Sequence, residues 1–209
     1  SITLHYYMVS LRQFYDWLQI TNYIQQHPFS KIKLPQPKSN YTRKLISENK
    51  LFSLWKNTIH DHEKLILIFG YGCGLRAKEL TELKVGDIDF DRGFLKVTKG
   101  KNNKKRSIPL QADHLRYLHH YKTQQGLSPK HTFFTVTQCT IAIYFKQLQQ
   151  RLGWKPPYYS LHHLRHSIAS HLIDRGMGIE LVQAFLGHST LKTTQIYVNP
   201  IKKITPWTI

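Results

Sequence analysis

The chain has 209 residues, enough for one substantial core and a small second lobe, and its 41% hydrophobic content excludes a largely disordered polymer. Its 30 Lys and Arg face only 12 Asp and Glu, a formal net charge of +18, which favours a polyanionic partner because each neutralised phosphate releases condensed counterions. The longest apolar run, LILIFGYGCGL from Leu65, is about half a bilayer span and holds three glycines, so no membrane crossing is expected.

Cys73 and Cys139 lack CxxC spacing and cannot form a disulfide framework, which suits a reducing cytosol. The opening SITLHYYMVS has no basic-then-apolar design of a secretory signal. Composition therefore describes a cytosolic nucleic-acid binder and is silent on catalysis.

Leu4, Met8, Leu11, Tyr15 and Leu18 recur at helical spacing, which predicts an amphipathic helix over the first twenty residues, ended around QQHPF. KLPQPKSNYTRKL follows, with Pro35, Pro37 and several cations but no apolar period, as in a linker crossing an anionic surface. We expect residues 1–40 to be the remnant of an N-terminal DNA-binding lobe plus linker, truncated because its helix lacks companions, and residues 41–209 to form the main domain.

LISENKLFSLWKN opens that domain with Ser47 at a capping position, Lys50 in place of the usual acid, and Leu51, Leu54 and Trp55 on one face. HEKLILIFGYGCG predicts a buried helix running into glycines, and RAKELTELKV a short amphipathic one. In GFLKVTKGKNNKKRSIPL the period changes: Phe94, Leu95 and Val97 precede a polar tip and Ser107-Ile108-Pro109 follows it, as in a β-hairpin. From Ala112 onward helices dominate, through LRYLHHYK, IAIYFKQLQQRLG, LHHLRHSIASHLIDRG, IELVQAFLG and LKTTQIYV. The expected fold is mainly α with a small antiparallel β-sheet, an α+β arrangement.

His162 and Arg165 lie three apart, hence on one helical face, with Leu164, Ile168 and Leu172 as the buried stripe. His162, His163 and His166 offer nitrogens to zinc, but no cysteine or carboxylate accompanies them and Arg165 repels a cation. A guanidinium beside an imidazole suits an oxyanion better, because its fork pairs bidentately with phosphate. Arg76 is a second such arginine: Gly72 and Gly74 allow a tight turn just before a helix start, where amide N–H groups also favour an anion.

GCGLRAKELTELKVGDIDF, GKNNKKRSIPL, HHLRHSIASHLIDRG and LGHSTLKTTQIYV, in that order over residues 45–200, resemble the catalytic domain of tyrosine site-specific recombinases, the phage-integrase and Xer-type family. The resemblance implies the DNA breaking-rejoining fold, with Arg76 and Arg165 as a phosphate clamp and Tyr197 as the nucleophile. It places His162 in the His-x-x-Arg box, His188 in the Leu-Gly-His box, and the hairpin general acid at Lys101, with Lys99 and Lys104 as close competitors. Two departures stand out: Gly100-Lys101-Asn102 where relatives often have Gly-Lys-Gly, and only 12 residues after Tyr197, little for an exchanged C-terminal helix.

The implied chemistry needs neither metal nor ATP nor another cofactor, because the phosphotyrosyl ester keeps the energy of the broken bond. The implied partners are a double-stranded DNA recombination site and three further subunits, identical or paralogous, in a tetramer on DNA, with no membrane and a cytoplasmic, nucleoid-associated setting. Lys96, Lys99, Lys104, Lys105 and Arg106 cluster around the hairpin and read as phosphate contacts that position a duplex on a concave basic face. A type IB-like topoisomerase and a non-catalytic DNA-binding regulator are the alternatives.

Overall fold

The computed structural model describes residues 2–32, 44–98 and 105–187. The chain divides into two compact units at residues 43 and 44.

The first unit is built on helix α1, Ile2–Ile20. Its packing is aromatic rather than aliphatic. Tyr15 meets Phe29 with ring centroids 5.3 Å apart, and His27 lies 6.1 Å from Tyr15. Polar bonds fasten the returning segment: the Phe29 carbonyl accepts from Arg12 Nη2 at 3.2 Å, and His27 Nε2 lies 3.1 Å from Asp16 Oδ1. Met8, Tyr15 and Leu18 are half-buried while Leu4 and Leu11 are exposed, so only part of the apolar stripe finds cover within this unit.

The second unit has its core along a helical stretch that is buried on every side from Leu65 to Tyr71. Helix α2, Glu48–Lys56, buries Leu51 and Leu54, and Ser47 stands at its N-cap without a side-chain bond, Lys50 reaching Tyr159 Oη instead. Helix α3, Asp61–Ile66, runs on into a π-helical turn, Leu67–Gly72. Residues Leu65 to Phe69 and Tyr71 are all at most 2% exposed, which leaves this rod no polar face and makes it the axis on which other helices pack. Such π turns insert an extra residue and recur where a chain must redirect toward a site.

Three strands follow the short helix α4, Ala77–Glu82: β1 Ile88–Asp89, β2 Phe94–Val97 and β3 Arg106–Pro109. They form one antiparallel sheet in the order β1-β2-β3, with Ile88 opposite Leu95 and Leu95 opposite Ile108. The expected hairpin is present, and the two-residue β1 adds an edge to it. Leu95 and Ile108 are fully buried, so alternation puts their side of the sheet against the core.

Helices α5 Ala112–Gln124, α6 Gln138–Arg151, α7 Leu161–Asp174 and α8 Ile179–Leu186 follow among the described residues. On α7 the stripe Leu164, Ile168 and Leu172 is buried. It lies so near the π turn that a β-carbon on Gly70 would sit 3.0 Å from Leu164 Cδ1. The chain is mainly helical with one small antiparallel sheet, as expected. Among the described residues, no helix is long and apolar enough to cross a membrane.

Candidate active site

The site begins where the π turn ends. Gly74 has φ +58°, a left-handed conformation that side chains rarely adopt, and a β-carbon there would lie 2.9 Å from Leu186 Cδ2 and 3.2 Å from Phe185 Cε1. Glycine thus lets the end of α8 close against the turn that precedes α4. Arg76 occupies the N-cap position of α4, and three residues on Glu79 reaches back so that its Oε2 accepts from the Arg76 backbone N–H at 2.9 Å.

That carboxylate gathers three guanidinium groups. Arg76 Nη1 donates to Glu79 Oε1 at 2.8 Å. Arg106, arriving on β3, donates through Nη1 to Oε1 at 3.0 Å and through Nη2 to Oε2 at 2.7 Å, a two-pronged pair. Arg165, arriving on α7, places Nη1 3.9 Å from Oε2. Its own fork is held by backbone: Nη1 donates to the Gly74 carbonyl and Nη2 to the Leu186 carbonyl at 2.5 Å. Arg165 therefore ties the turn before α4 to the last residue of α8.

The electrostatics follow from burial. Burial alone pushes the Glu79 carboxyl up, but the hydrogen bond and charge of Arg106, then the amide and guanidinium of Arg76, outweigh it and hold the group below its ordinary value. For Arg165, burial first, then the charges of Arg76 and Arg106, push the pKa down to about 9, with Glu79 opposing. The group is still cationic at neutral pH. Three positive charges around one negative leave a net excess of two, a preorganised hole for a dianionic or more highly charged phosphorus centre. Arg76 is the partly open member, its side chain 26% exposed against 10% for Arg165.

His162 sits exposed in the first turn of α7, three residues before Arg165 and on the same face. Its neighbour His163 turns the other way: the Nδ1 accepts from the Ser160 backbone N–H at 2.8 Å, capping α7. Burial, then the charge of Lys44, lowers the His163 pKa, which keeps that nitrogen an acceptor. Among the described residues, no three His, Cys, Asp or Glu side chains gather as a metal site.

Of the other residues singled out above, Lys101, His188 and Tyr197 lie outside the described residues, as do Lys99 and Lys104. Lys96 and Lys105 face solvent on the hairpin, Lys96 Nζ lying 3.4 Å from Asp89 Oδ2. Arg106 needs correction as a surface phosphate contact. Its side chain is 6% exposed and committed to Glu79, because it shares the inward side of β3 with Ile108 two residues on. Glu79 is the member that sequence reading missed. The signal was the Arg-x-x-Glu spacing at a helix start, a capping-box pattern that brings the acid back onto the arginine.

Residues 44–203 match the model of the phage integrase family. A tyrosine recombinase of Pseudothermotoga lettingae is 32% identical over 196 residues, covering 92% of this chain and 68% of that one. The tyrosine recombinase XerA of Pyrococcus furiosus is 36% identical over 165 residues, covering 71% of this chain and 53% of the relative. Among solved structures, a XerH site-specific recombinase bound to a palindromic difH substrate, in a post-cleavage complex, superposes with a TM-score of 0.72 at 25% identity, over 95% of this chain and 64% of that one. The chain thus spans between about half and two thirds of the length of these relatives. With residues 44–203 matching the family model and a tyrosine recombinase 32% identical over 92% of the chain, this chain belongs to the phage integrase family of tyrosine recombinases.

Proposed function

We propose that this chain is the strand-cleaving part of a site-specific DNA recombinase, with double-stranded DNA as its substrate. The observation that carries the reading is the convergence of Arg76 and Arg165 on Glu79, two fixed guanidinium groups at one place in a basic chain. Support also comes from a relative of similar fold whose structure is a post-cleavage complex on DNA.

In this reading the Tyr197 phenolic oxygen attacks the phosphorus of a scissile phosphodiester. A phenol with a pKa of about 10 must lose its proton as the new P–O bond forms, and His162, exposed beside Arg165, takes it. As the pentacoordinate phosphorus gathers negative charge, Arg76 and Arg165 hold the equatorial oxygens, and His188 adds a neutral donor. The bond from phosphorus to the 5′ oxygen breaks while Lys101 gives that oxygen a proton. The products are a 3′-phosphotyrosyl link and a free 5′ hydroxyl. Attack by the 5′ hydroxyl of another strand reverses the step, so no external energy source enters the balance. Four subunits arranged on DNA exchange strands in pairs, and Lys96 and Lys105 steady the duplex through its phosphates.

The test uses duplexes nicked near a site that the chain itself selects from a random-sequence DNA pool. Incubated in chelator-containing buffer and then denatured, the wild-type chain retains a covalent DNA adduct and Tyr197→Phe retains none. An adduct of equal yield in the variant rejects the assignment of the nucleophile.

A further inference from the structure

Arg106 has a larger part than the stabilising of one strand. It binds both oxygens of Glu79, at 3.0 and 2.7 Å, whereas Arg76 gives that carboxylate a single short side-chain bond and Arg165 stands off at 3.9 Å. It also touches the segment leading to His188: a β-carbon on Gly187, which has φ +69°, would lie 3.0 Å from both Cδ and Nη1 of Arg106. Arg106 is moreover the first residue of β3 and pairs with Val97 at the end of β2, so it closes the sheet at that end of the β2–β3 pair. One side chain is therefore in contact with the α4 start, the hairpin base and the end of α8.

Chemical reasoning gives this a purpose. A carboxylate prefers a bidentate guanidinium, and any arginine so engaged has fewer N–H donors for a phosphate. By taking a bond on each oxygen of Glu79, Arg106 limits the Arg76 side chain to a single bond there, while Arg165 is held by the Gly74 and Leu186 carbonyls. Resting on the proposed recombinase reading, we infer that Arg106 is a positioning residue for phosphate cleavage: it shares Glu79 with Arg76 so that the remaining N–H donors of Arg76 stay open to the scissile phosphate, and it does not touch DNA itself. Lysine cannot replace it, because one ammonium cannot span both oxygens.

The experiment measures the rate of covalent adduct formation on the nicked duplex and, separately, affinity for the same duplex without a nick. Arg106→Met lowers the adduct rate by about 10- to 100-fold, the scale of a misplaced reacting group, while affinity changes less than about threefold, the scale of losing no phosphate contact. Arg106→Lys keeps the charge and behaves in the same direction, and it serves where the Met variant does not fold, as read by thermal unfolding. The discriminating variant is Arg106→Met combined with Glu79→Gln: with the carboxylate neutralised, Arg76 is no longer drawn fully onto it, and the rate recovers about tenfold over Arg106→Met. A wild-type rate in Arg106→Lys overturns the inference, as does a double variant no faster than the single one, or a loss of affinity equal to the loss of rate. Failure of the wild-type chain to form any adduct strikes instead at the recombinase reading on which the inference rests.

Discussion

Lys105 and Arg106 are neighbours in the chain, yet the first stands in solvent and the second is buried on a carboxylate. The contrast extends to the regions they belong to. Around Glu79, cations are held at fixed distances by bonds to carboxylate and backbone, and burial lowers the pKa of Arg165. On the solvent side of the hairpin, Lys96 and Lys105 are exposed charges in high dielectric, screened by salt. A net charge of +18 counts both kinds alike. Only the first kind is suited to stabilising a transition state, because catalysis draws on charge already in place. The second kind is suited to attracting a duplex and holding its register.

Removing a member of each region separates these roles. Arg165→Ala deletes a buried cation aimed at the site, and its adduct rate falls at least ~100-fold, the scale seen when one preorganised donor is lost. Its DNA affinity falls by only a few-fold. Equal losses in rate and affinity erase the distinction between the two regions.

The next effect in size is on stability. Glu79→Gln leaves three guanidinium groups facing one another without a counter-charge, a loss of about 3 kcal/mol by denaturant unfolding at neutral pH. The sign with pH is set by the lowered pKa of Glu79. The unfolded chain binds this proton more readily, so the stabilisation is complete above the ordinary carboxylate value of 4.5 and is lost as pH falls through the lower folded value. The stability gap between wild type and Glu79→Gln accordingly narrows as the pH drops below 4.5. A gap that stays constant shows that the carboxylate is not what holds the arginines.

The smallest effects belong to the exposed lysines. Lys96→Ala and Lys105→Ala each reduce the slope of log affinity against log salt by about one, and leave the adduct rate at saturating DNA unchanged. A rate effect in either variant moves that lysine into the catalytic group.

Much of this was legible beforehand, and the misses have physical causes. Helices announced themselves by period, and Leu164, Ile168 and Leu172 fall where the stripe put them. Turn chemistry singled out Arg76 and helical spacing singled out Arg165 beside His162, the family resemblance implied their pairing as a clamp, and the structure joins them through a residue that reads in sequence as an ordinary helix acid. Strand β1 escaped notice because two residues carry no alternation. The π turn escaped because an apolar run buried on all sides has no period to read. Arg106 was misplaced because a run of charges is usually solvated, while its inward register with Ile108 only becomes visible once the strand is paired. Helix α1 shows the converse, since Leu4 and Leu11 keep a helical period without being buried.

The central claim is that one phenolic oxygen in this chain becomes joined to DNA while buried arginines hold the phosphorus. Proteolysis of the denatured adduct followed by mass analysis of the DNA-bound peptide tests it most directly. The account predicts a single modified residue, Tyr197, carrying a 3′ phosphate. A linkage through any other side chain, or through a 5′ phosphate, contradicts it.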